Sequence, residues 1–354
     1  VSFKNSRAKR AALVALALVA VSAIALTAIG GAGASRKAGP LAGQRFYLMI
    51  QSSPTASKVL QAHAIQILKN QGADAQIKWN ATSSNVAIAQ LQSGDVDGFS
   101  NAVAGGLGAA LAGIPLVDFA LVNPREDYVF ITRPDVTSLS QLKGKSIGVL
   151  DTTSINYPQE LIVLKKAGLD AGDVKTVITG GQSSRLAALV AGRLDGTMLS
   201  HAAAIQLLPQ GYHVLYDFTK QSASMYDDNV FAMKSWLASH KKLAIALNKA
   251  ILQSYVWFNN PKNEDAVVND AVALAPGTDV AQTKQLFDQL RNLHWAVEKA
   301  TLNIPTLKYE QALFTQVGAV KGSLAVGQWA NVAYANAAKA QLYPVKKTAK
   351  KHKK

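Results

Sequence analysis

The residues best equipped for chemistry in this chain are hydroxyls and amides placed where strands run out. Ser52 and Ser53 follow an apolar run at 46–50, and Thr152, Thr153 and Ser154 follow another at 146–150. Both loops lead into helical patterns. Their hydroxyls and the free N–H groups of a helix start would therefore point one way, at the positive end of the helix dipole. Such a cradle suits a sulfonate, carboxylate or nitrate without any arginine; equally, Ser and Thr at a helix start act as caps and nothing more. His201, after Ser200 at a strand end, reads as a ligand contact or as a satisfied structural imidazole. Asp227 and Asp228 are suited to hydrogen-bond a ligand amine or to cap a returning strand, and Arg125, Glu126 and Asp127 read as a solvated turn. With no cysteine in the chain, there is no thiolate nucleophile, disulfide or thiolate metal site. No His, Asp and Glu set falls at metal-ligand spacing, so neither a metal nor a cofactor is expected.

The elements that must hold these loops are written twice. LQSGDVDG at 91–98 and LVAGRLDG at 189–196 share Leu, two residues, Gly, one residue, an aliphatic, Asp and Gly. A helical pattern precedes each copy and an apolar run follows it. Gly94 and Gly192 then end helices in the left-handed conformation, and Val96 and Leu194 lead into buried strands. Two such corners about a hundred residues apart predict two lobes of similar build, not a short-period array. Short strand-loop-helix units predict mainly parallel sheets, whose carboxyl edges are where open α/β sheets bind ligands.

Domain boundaries follow from the same pattern. Residues 43–127 and 235–339 form the first lobe and 134–229 the second, with 128–133 and 230–234 as the crossing strands and hinge. Beyond the return, Leu243, Leu247, Ile251, Tyr255 and Phe258 share one face of a long helix that Pro261 ends.

The formal charge of +15 on 354 residues loses its meaning once it is located. Six basic residues lie in 4–37 and six lysines in 346–354; removing those twelve from +15 leaves +3 on the body. No basic stripe interleaved with aromatics remains, so nucleic acid is not an expected partner. Residues 1–40 read as an address: a basic start, an apolar run at 11–29 and the small-residue pattern Ala32, Gly33, Ala34. That is a cleaved export signal or an uncleaved anchor. Both place the body in the periplasm or on the outer face of the cytoplasmic membrane, and without cysteine it is not a lipoprotein. The lysine-rich tail, 340–354, is either simply solvated or a contact with an anionic membrane or cell-wall surface.

Segment by segment, the chain resembles a known family. SSPTAS follows the first strand and NATS the second; YVFITRPDV leads into SLSQLKGKSIGV; KKAGLD and VFAMKSWL come later. This resembles the substrate-binding proteins of ABC importers that handle nitrate, sulfonates, taurine and thiamine-precursor pyrimidines, over roughly 45–274. The resemblance implies a two-lobed, type II periplasmic-binding-protein-like α/β fold, each lobe a mainly parallel sheet flanked by helices, joined by two crossing strands. It implies a monomer that closes on a small anionic or polar solute without catalysis and docks on a permease and ATPase complex. Its ligand loops fall on Ser52, Ser53, Asn80, Asn101, Thr152, Thr153, Ser154, Ser200, His201 and Asp227. An enzyme like the pyrimidine synthase of thiamine biosynthesis shares the fold but depends on a cysteine-rich segment, which is missing here. A sensor or scaffold of the same fold stays open.

Overall fold

Apolar runs of four to eight residues alternate with amphipathic helices, and in the computed structural model they build two open sheets. Residues 39–52, 54–79, 84–220 and 225–344 are described. The expected export segment, the lysines at 346–354, Ser53 and Asn80 lie outside the described residues. In chain order the first lobe supplies β1 (Arg45–Ile50), α1 (Val59–Asn70), β2 (Asp74–Trp79), α2 (Ser84–Ser93), β3 (Gly98–Asn101), α3 (Val103–Leu111) and β4 (Leu116–Asn123). The second supplies β5 (Tyr128–Thr132), β6 (Ser146–Val149), α4 (Asn156–Ala167), β7 (Lys175–Ile178), α5 (Gln182–Val190), β8 (Gly196–Ser200), α6 (His201–Ile205) and β9 (His213–Asp217). The chain then returns through β10 (Asp228–Met233) into α7 (Lys234–Ser239), α8 (Lys241–Asn259), α9 (Glu264–Leu274) and α10 (Val280–Asn292). Last come α11 (Ile304–Gln316), α12 (Val326–Trp329) and α13 (Ala333–Leu342).

The sheets run β2-β1-β3-β10-β4 and β7-β6-β8-β5-β9. In each, one strand is antiparallel to both neighbours, β10 in the first and β5 in the second. Each is the strand that has just crossed from the other lobe. This corrects the expected hinge. Tyr128–Thr132 and Asp228–Met233 are interior strands, because an extended segment left bare between lobes would carry unpaired N–H and C=O groups. The chain passes between the sheets at 124–127, and again between the end of β9 at Asp217 and the start of β10 at Asp228.

The duplicated corner folds alike in both sheets. Gly94 and Gly192 have φ of 80° and 71°. Asp97 exchanges a reciprocal pair of bonds with Tyr47: its N–H donates to the Tyr47 carbonyl at 2.9 Å, and its carboxylate accepts from the Tyr47 N–H at 2.8 Å. Asp195 does the same with Ser146, at 2.8 Å both ways. The closing Gly has a matching reason. A Cβ at Gly98 would come within 2.9 Å of the Phe46 ring, and at Gly196 within 2.7 Å of the Phe130 ring.

Leu243, Leu247, Ile251, Tyr255 and Phe258 of α8 are all buried against α1 and the first sheet. The Tyr255 hydroxyl lies 2.8 and 2.9 Å from the carbonyl oxygens of Leu121 and Val122. A second apolar cluster joins the lobes: α3 and Leu307, Phe314 and Trp329 of the C-terminal helices belong to it with Phe130, Ile147 and Val163 of the second lobe. No helix among the described residues is long and apolar enough to cross a membrane.

Candidate functional site

Strand polarity decides which residues meet. On the first sheet, Gln51 and Ser52 follow β1, Asn101 ends β3, Asn123 ends β4 and Asp228 begins β10. On the second, Asp151 to Ser154 follow β6, His201 follows β8, Asp127 precedes β5 and Asp217 ends β9. These two edges face each other and touch.

Ser84, at the start of α2, is the hub of the contact. Its hydroxyl donates to Gln51 Oε1 at 2.6 Å and accepts from Asn101 Nδ2 at 3.1 Å. Thr153 Oγ1, from the other lobe, lies 2.8 Å from both Ser84 Oγ and Asp151 Oδ1. Gln51 Nε2 donates across the gap to Asp151 Oδ2 at 2.7 Å. A cleft of about 600 Å³ opens beside this contact, lined by Ser84, Gly105, Thr152, Thr153 and Lys321 among others.

The donors expected to cradle an anion are occupied by the chain itself. Asp151 Oδ1 accepts from the Thr153 N–H at 2.8 Å, and Ser154 Oγ donates to the Asp151 carbonyl at 3.0 Å. Helix α4 begins only at Asn156. Ser154 is buried while Thr152 is exposed. Ser52 Oγ is buried and meets no partner among the described residues.

At the crossings the edges carry acids. The Lys58 ammonium pairs with Asp228, which also accepts from Gln61 Nε2 at 3.2 Å. Asn123 Nδ2 donates to Asp227 at 3.0 Å and reaches Asp228 at 3.4 Å. Glu126 and Asp127 are only 5% and 6% exposed, so the expected solvated turn is buried. The turn is short and links the end of β4 in one sheet directly to the interior strand β5 of the other, which draws it between the sheets. Glu126 accepts from Gln159 Nε2 at 3.0 Å. Burial pushes the Glu126 carboxyl well above its ordinary range and raises Asp127. Asp227 is raised by burial first and by the Asp228 charge second, against the pull of Lys58.

His201 presents both ring nitrogens to acceptors, Nδ1 at 2.8 Å from the Asp127 carbonyl and Nε2 at 3.4 Å from the Asp217 carboxylate. Ser200 Oγ caps α6, accepting from the Ala203 N–H at 3.4 Å. A second cleft, about 520 Å³, is lined by Glu126, His201, Asp217, Phe218 and Trp295 among others. Of the residues singled out from sequence, Asn101 and Thr153 meet in one network; His201 and Asp227 stand at the crossings. Gln51, Ser84, Asp151, Lys58, Glu126 and Asp127 enter the site without having been singled out as contacts. Gln51 directly ends a strand, a signal that points to the edge; nothing local distinguishes Lys58 or Glu126.

A family model described as NMT1/THI5 like matches residues 60–264, more than half of the chain. The chain belongs to the NMT1/THI5-like family. Comparison with curated proteins finds no match. Among solved structures, the NMT1/THI5-like chain is similar to the periplasmic nitrate-binding protein NrtA from Synechocystis PCC 6803, at 12% identity and a TM-score of 0.69 over 87% of this chain and 90% of that one. The periplasmic aliphatic sulphonate binding protein SsuA from Escherichia coli matches at 16% identity and 0.61, over 80% and 91%. The desulfurization enzyme DszB matches at 15% identity and 0.57, over 84% and 100%. Identities this low show a shared fold. Because that fold serves binding proteins and an enzyme, function has to be argued from the site.

Proposed function

We propose that the chain is the extracytoplasmic solute-binding component of an ABC importer, holding a small polar organic solute between its lobes. One observation carries the reading: polar side chains from two facing carboxyl edges meet directly, Gln51 on Asp151 and Ser84 beside Thr153. Two sheets joined by two short connections are built to rotate about them and close on a ligand. Asn101, Thr153, His201 and Asp227 are the sequence-derived residues placed to touch the solute, with Ser52 at the rim of the same edge. The enzyme reading lacks its cysteines. Export through residues 1–40 and docking on a permease and ATPase complex complete the proposal.

A thermal-shift screen of the purified chain against alkanesulfonates, taurine, nitrate, pyrimidines and amines tests it. A solute at a hundredfold excess over its Kd should add about 2.7 kcal/mol of apparent stability. Transport reconstituted with a partner permease and ATPase separates an importer component from a sensor. A protein whose unfolding responds to none of these solutes would defeat the reading.

A further inference from the structure

Around the crossings the unsatisfied groups are nearly all of one kind. Glu126 Oε1, Asp127 Oδ2, Asn123 Oδ1 and Gln61 Oε1 are buried and accept no hydrogen bond among the described residues. The amide orientations are forced, since Asn123 and Gln61 both turn their N–H groups to carboxylates. That leaves two carbonyl and two carboxyl oxygens without donors, on residues from 1% to 6% exposed. Leaving such an acceptor unpaired is costly, and more so for a charged group.

The charges run the same way. Glu126, Asp127, Asp217, Asp227 and Asp228 face Lys58, His201 and Lys220; Lys58 is engaged by Asp228 and Lys220 by Asp217 at 3.1 Å. Arg125 reaches only the Leu293 carbonyl, at 3.4 Å. The buried Arg185 guanidinium turns to the carbonyls of Gly180 and Met198 and makes no ion pair among the described residues. Glu126 and Asp217 line the 520 Å³ cleft beside Phe218 and Trp295, with Arg125, His201, Lys220 and His294 also on its wall; aromatic faces next to carboxylates suit a cation. The Trp295 indole N–H is the one buried donor there without a partner. No group of three or more His, Asp and Glu among the described residues is arranged to hold a metal ion, and the aromatic neighbours suit an organic cation better.

We infer that the solute carries a positive charge, an ammonium, amidinium or guanidinium group seated against Glu126 and Asp127. The inference rests on the solute-binding reading above and gives it a charge sign opposite to the one expected from the Thr152 to Ser154 loop. Burial pushes the Glu126 carboxyl upward and a seated cation would pull it back down, so binding should be accompanied by net proton release and should tighten as pH rises.

Isothermal titration calorimetry of the full chain decides it, with agmatine and n-butylammonium set against ethanesulfonate and nitrate, in two buffers of different ionisation enthalpy. The expected result is binding of the cations only, with proton release, weakened at least tenfold by Asp127→Asn and by Glu126→Gln while both variants keep their melting temperature. Binding of ethanesulfonate or nitrate alone would overturn the charge assignment and leave the solute-binding function standing. No binding by any of the four, with both variants more heat-stable than the parent, would mark these carboxyls as structural acids and overturn the inference as well.

Discussion

Asp97 and Asp195 hold equivalent places in the two corners, yet removing them should not cost the same. Asp97 accepts from the Tyr47 N–H, from the Arg45 guanidinium at 2.9 and 3.1 Å and from the Trp236 indole at 3.1 Å. Asp195 holds the Ser146 N–H and a part-exposed Lys145 at 3.7 Å. Denaturant unfolding of Asp97→Ala should therefore show a loss of roughly 2–4 kcal/mol, and of Asp195→Ala about 1–2 kcal/mol. Equal losses would mean that the shared backbone pair dominates. Glu160 gives a pH prediction. Burial raises its carboxyl from 4.5 to about 7, although Thr176 donates to it at 2.7 Å. The folded state thus binds this proton more tightly than the unfolded chain, so stability falls as pH climbs from the ordinary carboxyl value through about 7. Glu160→Gln should gain about 1–2 kcal/mol at pH 8, part of the full shift being lost to an amide N–H in place of the unpartnered Oε2. It should gain nothing at pH 4; melting curves at the two pH values check both.

At the scale of the element, α3 shows how tightly a helix can be fitted to its sheet. A Cβ on Gly106 would lie 2.1 Å from the Phe231 ring, whereas one on Gly108 meets nothing within 4 Å. Phe231 is fully buried in β10 and has no room to retreat. Gly106→Ala should cost about 1–3 kcal/mol through overpacking, while Gly108→Ala should stabilise by about 0.5–1 kcal/mol because a mid-helix glycine is entropically poor. Chemical denaturation of the pair, two residues apart in one helix, isolates packing from propensity. A loss in both would place Gly108 in contacts the static structure does not show.

For the molecule as a whole, the proposed closure on a solute would be held by the side-chain bridges between the lobes. Gln51→Ala with Thr153→Ala removes the contacts to Asp151 and Ser84. At about 0.5–1.5 kcal/mol for each net hydrogen bond, the closed form should lose roughly tenfold or more in population. Small-angle scattering without solute should then give a larger radius of gyration than the parent, and solute affinity should fall with little change in melting temperature. An unchanged radius would mean that the apolar cluster shared by the lobes holds the closed form unaided.

What the sequence determined by itself is local and repetitive. The Gly and Asp-Gly pattern determines each corner, because only glycine takes φ near 80° cheaply and only a residue without Cβ fits beneath Phe46 or Phe130. The four-residue spacing of Leu243, Leu247, Ile251 and Tyr255 determines the buried face of α8, since helical periodicity is carried by residue order alone. The pairing of 128–132 and the burial of Glu126 and Asp127 were decided by tertiary structure. Whether 128–132 hangs between lobes or pairs within a sheet depends on partners 64 to 88 residues away, in β8 and β9. Glu126 and Asp127 read as a solvated turn because acids in a short polar stretch nearly always are; only the strands entering the two sheets draw them out of water and beside Asp227 and Asp228. Likewise the hydroxyls of Thr153 and Ser154 promised an anion cradle, and their own neighbour Asp151 fills it, a competition that tertiary contact with Gln51 settles.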